Sequence, residues 1–222
     1  MDNPFHNKPI LTVSPNTTRG LVVQHLQCIR DDRVLFDNLN FNLSEGQLLQ
    51  IEGHNGSGKT SLLRILCGLS LPTEGTVFWD NQDIQEIKSG YGSILTYIGH
   101  ASGIKAELTP LENLKMARSL GANPTTLDLV EALDQVGLYG FEDVLTRTLS
   151  AGQQRRIALA RLLINETPLW ILDEPFTALD KVAIRMVENW LDAHAKRGGM
   201  AILTSHHTVN CAHAKVLRLS AE

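Results

Sequence analysis

The sequence predicts an α/β fold organised around a phosphate-binding loop, and three observations carry that prediction. An apolar, strand-like run from Gln47 to Glu52 leads into Gly53-His54-Asn55-Gly56-Ser57-Gly58-Lys59-Thr60. Leucines at helical intervals follow it, from Thr60 to Leu69. Strand-like and helical patterns then alternate again from Leu169 to the end of the chain, as a sheet covered by helices requires.

The 222 residues suffice for one large domain with a buried core. A hydrophobic fraction of 43% and a charged fraction of 20% argue against disorder. The apolar runs stop short of the roughly 20 residues that a membrane span needs. A net charge of -4 gives no general attraction to nucleic acid, and no nucleic-acid partner is expected. Cys28, Cys67 and Cys211 are odd in number and widely spaced, which predicts free thiols in a reducing compartment and no zinc spacing. Near the N-terminus no basic segment precedes a long apolar core, so no secretion signal is expected.

Taken in order, residues 1–20 contain Pro4, Pro9, Pro15 and Gly20 and predict a loose leader before a domain spanning 21–222. Leu21 to Ile29 and Val34 to Leu43 have strand-like spacing, and Glu45-Gly46 marks a turn before the strand that delivers the phosphate loop. The helix after the loop is expected to end near Gly68. Pro72 and Gly75 mark another turn, followed by strands at Thr76 to Trp79 and Ser93 to Gly99. From about 100 to 163 the pattern is mostly helical, with Leu111, Leu114 and Leu120 in one segment and Leu129, Leu133 and Val136 in the next. A helix from Gln153 to Leu163, a strand from Leu169 to Leu172, a helix from Val182 to Ala195 and strands at Met200 to Thr204 and Val216 to Leu219 complete the expectation.

Residues Gly53 to Thr60 satisfy G-x-x-x-x-G-K-[ST] at each fixed position. Glycine permits the left-handed turns that aim successive N–H groups into one concavity, and the following helix adds its positive end. Lys59 supplies charge for the β- and γ-phosphates of a nucleotide, and the Thr60 hydroxyl is a magnesium ligand candidate. Leu169 to Leu172 deliver Asp173 and Glu174 to the carboxyl end of a buried strand, where α/β folds bind ligands. Asp173 suits the metal shell, and Glu174 suits polarisation of an attacking water.

With Leu149-Ser150-Ala151-Gly152-Gln153 lying between the loop and the acidic strand, the chain resembles the nucleotide-binding subunits of ABC transporters. Ala151 replaces the usual glycine of that signature. The same pentapeptide also reads as a helix cap at Ser150. Thr177-Ala178-Leu179-Asp180 matches the family's D-loop, and His206 its switch histidine, with His207 one position away. The resemblance implies a P-loop ABC-type ATPase with a RecA-like core, an antiparallel β subdomain and a helical signature subdomain. It further implies ATP and Mg2+, catalytic roles for Glu174 and His206, and a head-to-tail pair in which Ser150, Gly152 and Gln153 of one copy complete the loop of the other. His206, His207, Cys211 and His213 also invite a metal reading, but no independent closed ligand set is visible.

Two positions depart from the common pattern. His100 stands where most such subunits have a glutamine, and Arg30 falls near the position of the adenine-stacking aromatic, where a planar guanidinium can stack instead. These departures, together with Leu39-Asn40-Phe41, the segment Gly99 to Thr109 and Glu112-Asn113-Leu114, resemble the CcmA family of ATP-binding subunits associated with cytochrome c maturation. That resemblance implies CcmB- and CcmC-like membrane subunits, an indirect link to a periplasmic haem chaperone, and a place on the cytoplasmic face of the bacterial inner membrane. The alternative is an ATPase subunit for export of another small or lipid-like substrate.

Overall fold

In the computed structural model, residues 19–207, 209, 211 and 214–219 are described. The chain runs β1 (Gly20–Arg30), β2 (Arg33–Ser44), β3 (Leu48–Glu52), α1 (Lys59–Leu66), β4 (Glu74–Trp79), β5 (Gln82–Asp83), α2 (Lys88–Tyr91), β6 (Leu95–Ile98) and α3 (Pro110–Leu120). It continues with α4 (Leu129–Gln135), α5 (Ala151–Ile164), β7 (Leu169–Asp173), α6 (Lys181–Lys196), β8 (Met200–Thr204) and β9 (Ala214–Arg218). A 3-10 turn at Thr146–Thr148 precedes α5.

The strands divide between two sheets. Every residue of β7 and β8 is buried, as expected for parallel strands covered on both sides. With β6, β3 and β9 they form a parallel sheet in the order β6-β7-β8-β3-β9. The alternating strands β1 and β2 pair antiparallel with β4 and β5 in the order β2-β1-β4-β5. Two-residue turns close its hairpins. Asp31 and Asp32 have φ of +50° and +58°, and Asp80 and Asn81 have +47° and +66°, the doubly left-handed geometry that matches strand twist.

Three apolar clusters hold these layers. Leu21, Phe41, Ile51, Leu62, Leu66, Ile171 and Ile202 join the antiparallel sheet and α1 to one face of the parallel sheet. Leu48, Leu159, Leu172, Val187, Leu191 and Leu203 cover the opposite face with α5 and α6. Leu114, Leu133, Leu138, Ile157 and Ile164 bind α3, α4 and α5 to one another. Because Ile157, Ala158, Leu159 and Ala160 are all buried, α5 is enclosed on every side along this turn and belongs to two clusters at once. Fully burying each such leucine or isoleucine contributes about 1.5–3 kcal/mol, so this helix is anchored firmly to the sheet.

Several boundaries differ from the sequence pattern. The expected leader falls almost wholly on residues 1–18, outside the described residues, and β1 already starts at Gly20. Helix α1 stops at Leu66 because Gly68, at φ +70°, turns the chain away. The helical stretch is broken into α3, α4 and α5 by turns capped at Thr109, Asp128 and Ser150. β9 starts two residues earlier than predicted and ends one residue earlier, leaving Leu219 buried just beyond its end.

Candidate nucleotide-binding site

The parallel order places the ends of β6, β7, β8 and β3 along one edge, and each contributes to the site. The loop from β3 to α1 turns at Gly56 and Gly58, with φ of +80° and +93°, values that favour glycine. A Cβ at Gly58 would also stand 2.9 Å from Leu35 Cβ, so β2 presses directly on the loop. Lys59 is largely buried, and its Nζ donates to the carbonyls of Gly53 at 2.7 Å and His54 at 3.1 Å. The ammonium is thus curled into the concavity of its own loop. His54 closes a local contact through Nδ1 with the Asn55 carbonyl at 2.8 Å, and Ser57 is buried against Gly53.

At the neighbouring strand end, Thr60 Oγ1 donates to Asp173 Oδ2 at 2.9 Å. The other carboxylate oxygen, Oδ1, accepts from Thr204 Oγ1 at 2.7 Å, and that hydroxyl in turn accepts the Glu174 amide at 2.9 Å. The register pairing Asp173 with Thr204 makes this possible. Asp173 is buried, whereas its neighbour Glu174 turns out of the strand at φ +49°. Glu174 Oε1 is buried without a hydrogen-bond partner. His206 Nε2 lies 3.6 Å from it, beyond hydrogen-bond reach, and the imidazole is exposed. Two hard oxygen donors, Thr60 and Asp173, therefore meet beside a lysine, and a buried carboxylate oxygen waits next to them. This donor set fits a magnesium nucleotide.

The segment after β8 is tethered from beneath. Gln50, buried in β3, donates from Nε2 to the His207 carbonyl at 3.2 Å and accepts the Val209 amide at Oε1, also at 3.2 Å. His207 meets Phe176 edge-on at 5.8 Å between ring centroids. Cys211 Sγ contacts the Glu188 carbonyl, and burial pushes its thiol up to about 11. His213 lies outside the described residues, and among those described no group of three or more His, Cys, Asp or Glu side chains could hold a metal.

Ser150 caps α5, as its sequence context allowed. Gln153 N donates to Ser150 Oγ at 3.3 Å, and Ser150 N donates to Gln153 Oε1 at 2.9 Å, a reciprocal capping box. Both residues are thus engaged with each other at the helix start. Gly152 abuts the turn beyond Glu174: a Cβ there would stand 2.6 Å from the Ala178 carbonyl oxygen. Asp180 ends that turn by capping α6 through the Ala183 amide at 2.8 Å and by pairing with Arg156 Nη2 at 2.6 Å. The backbone bond from Ala183 and the Arg156 cation hold its carboxyl below the usual range.

The two departures occupy different surroundings. Arg30 is exposed and its guanidinium donates to the carbonyls of Ile29 at 3.2 Å and Leu71 at 3.1 Å. His100 is exposed and follows Gly99, whose carbonyl accepts Arg155 Nη1 at 2.9 Å. Sequence reasoning passed over Arg155, Thr204 and Gln50. Gln50 lies inside an otherwise apolar strand and Thr204 ends one, whereas Arg155 sits among the polar residues that open α5 and carried no such signal.

Comparison with known proteins agrees with this arrangement. Residues 36–177 match the ABC transporter family. A cytochrome c biogenesis ATP-binding export protein CcmA of Nitrosococcus oceani is 54% identical over 201 residues, covering 90% of this chain and 92% of that one. The corresponding protein of Methylococcus capsulatus is 55% identical over 191 residues, covering 86% and 92%. A dimeric ATP-binding cassette, solved in a post-hydrolysis state with ADP and Pi, shares the fold at a TM-score of 0.76 and 23% identity, covering 90% of this chain and 94% of that one. The α/β core, antiparallel sheet and helical region are those of an ABC ATPase, and the chain belongs to the ABC transporter family of ATP hydrolases and, within it, to the CcmA family.

Proposed function

We propose that this chain is the ATP-hydrolysing subunit of a membrane ABC complex for cytochrome c maturation. It works as a head-to-tail pair with CcmB- and CcmC-like membrane subunits on the cytoplasmic face of the bacterial inner membrane. Hydrolysis drives either haem export or release of a haem-loaded periplasmic chaperone. The identity with CcmA proteins supports the pathway. No helix among the described residues is long and apolar enough to cross a membrane, in keeping with attachment through partners.

The observation that carries the catalytic reading is the chain of contacts Thr60, Asp173, Thr204, Glu174. In this reading the loop amides and Lys59 hold the β- and γ-phosphates, Lys59 exchanging its carbonyl partners for phosphate oxygens. Thr60 and Asp173 hold magnesium, which supplies charge neutralisation at the phosphates. Glu174, with one carboxylate oxygen unpartnered, orients the attacking water and accepts its hydrogen bond. In this reading His206, 3.6 Å from that carboxylate, contacts the γ-phosphate and helps to organise Glu174 and the water. Ser150 and Gly152, at the positive end of α5, act on the γ-phosphate held by the other copy, with Gln153 fixing the cap. Arg30 and His100 line the base side and the water side respectively.

Glu174→Gln tests the assignment. It keeps the size of the side chain and removes the charge, so ATP binding persists while hydrolysis falls by about 100-fold or more. Normal hydrolysis with normal binding in that variant would remove Glu174 from the mechanism. The pathway is tested separately by deleting the chain from its native cell and staining c-type cytochromes for haem. Continued haem attachment would defeat the maturation role and leave the ATPase reading standing.

A further inference from the structure

Arg155 is the most heavily engaged polar side chain near the site. It lies on α5, five residues after the cap Ser150, and is almost wholly buried. Its Nη2 donates to the carbonyls of Asp173 at 2.8 Å and Glu174 at 2.9 Å, its Nε donates to that of Pro175 at 3.4 Å, and its Nη1 donates to that of Gly99 at 2.9 Å. One guanidinium therefore gathers three successive carbonyls from the turn after β7 and one from the residue before His100.

That turn needs holding. Glu174 is a non-glycine residue at φ +49°, and the left-handed region is strained for such a residue and persists only where its surroundings impose it. Its amide is fixed by Thr204 and its carbonyl by Arg155, with Thr177 N also reaching that carbonyl at 3.2 Å. A planar fork with five N–H groups can serve carbonyls on several sides at once; a lysine ammonium cannot. Burial alone would disfavour the cation, and the neighbouring charges of Asp173 and Glu174 oppose that penalty. With α5 clamped between two apolar clusters, Arg155 ties its N-terminal end to both the Glu174 turn and the residue before His100.

We propose that Arg155 is a positioning residue for hydrolysis: it sets the Glu174 turn and the His100 segment from the same helix that presents Ser150 to a second copy. Presentation of the signature end and alignment of the acid are then one mechanical event within each subunit. The proposal rests on the reading of Glu174 as the residue that orients water.

The test is a kinetic split in the full chain. Arg155→Lys keeps the charge but loses the fork, and is expected to lower kcat by about 100-fold, the scale of a 1 Å misplacement, while KM for ATP stays within about twofold. Combined with Glu174→Gln, it adds no further loss, because its effect passes through that carboxylate. Unchanged kcat in Arg155→Lys, a parallel loss of ATP affinity, or losses that multiply in the double variant overturn the proposal. Should Arg155→Lys fail to fold, hydrogen exchange on the unaltered chain gives an independent reading: the amides of 99–101 and those of Glu174, Phe176 and Thr177 open together, and independent opening overturns the link. A Glu174→Gln chain that hydrolyses ATP normally refutes the underlying assignment. An inactive Glu174→Gln chain beside a fully active Arg155→Lys chain refutes the Arg155 role alone.

Discussion

The hydroxyl of Thr204 donates to Asp173 Oδ1 at 2.7 Å across the β7 and β8 pairing. The same oxygen accepts the Glu174 amide, so a single hydroxyl fixes the carboxylate of one acid and the main chain of the next. Thr204→Val preserves shape but leaves a buried amide unpaired, at a cost of about 1–3 kcal/mol. The expected outcome is a lower thermal midpoint together with slower ATP hydrolysis. An unchanged midpoint by calorimetry would show that water replaces the hydroxyl without loss.

Lys59→Ala removes the buried ammonium that now rests on the Gly53 and His54 carbonyls. Hydrogen bonds from a charged donor contribute about 1.5–3 kcal/mol, so ATP affinity should weaken by about 10- to 100-fold. Titration calorimetry with ATP reads this directly. Equal affinity in the variant would contradict the phosphate-holding role.

Gly152→Ala introduces a Cβ that would sit 2.6 Å from the Ala178 carbonyl oxygen, too close to keep both backbones in place. The turn from Glu174 to Asp180 must shift, while the loop at Gly53 to Thr60 is untouched. Hydrolysis should drop with ATP affinity preserved when binding is measured on the isolated chain. A variant with wild-type turnover would mean that the turn gives way harmlessly.

His194 predicts a pH dependence of stability. Its ring stacks on Trp170 at 3.8 Å, Nε2 contacts the Met200 carbonyl, and burial pushes its pKa down to about 4 from 6.5, against the raising effect of that bond. Above pH 6.5 both folded and unfolded chains hold the neutral ring, and no proton is exchanged on unfolding. Between pH 6.5 and 4 the unfolded chain takes up a proton that the folded chain refuses, so stability falls as pH falls, by up to ~3 kcal/mol. His194→Gln should flatten that slope in urea unfolding series. A slope unchanged by the substitution would assign the acid sensitivity to other groups.

The parts of the site legible in the sequence were those whose chemistry is written contiguously: the loop at Gly53 to Thr60, the paired acids at Asp173 and Glu174, and Ser150 with its Gln153 partner. Arg155 and Gln50 were not, because their partners are main-chain carbonyls and amides as far as 159 residues away, and a carbonyl carries no mark in the sequence. Thr204 was read as the end of a strand, and only the register against β7 turns that end into a bridge. For the fold, long apolar elements such as β7, β8 and α5 declare their periodicity, whereas β5 and α2 span two and four residues and are too short to show one. Helix ends moved where a left-handed glycine or a capping side chain, as at Gly68 and Thr109, outweighed the leucine pattern.

Gln50 gives the strand β3 two duties separated by only a few residues. Its far end delivers the loop at Gly53 to Thr60, while its middle holds the chain beyond His206 through the His207 carbonyl and the Val209 amide. The loop and the His206 segment therefore share one strand as their support, and a displacement of β3 would reach both. Leucine at position 50 would remove both tethers at once and leave the contacts within the Gly53 to Thr60 loop in place.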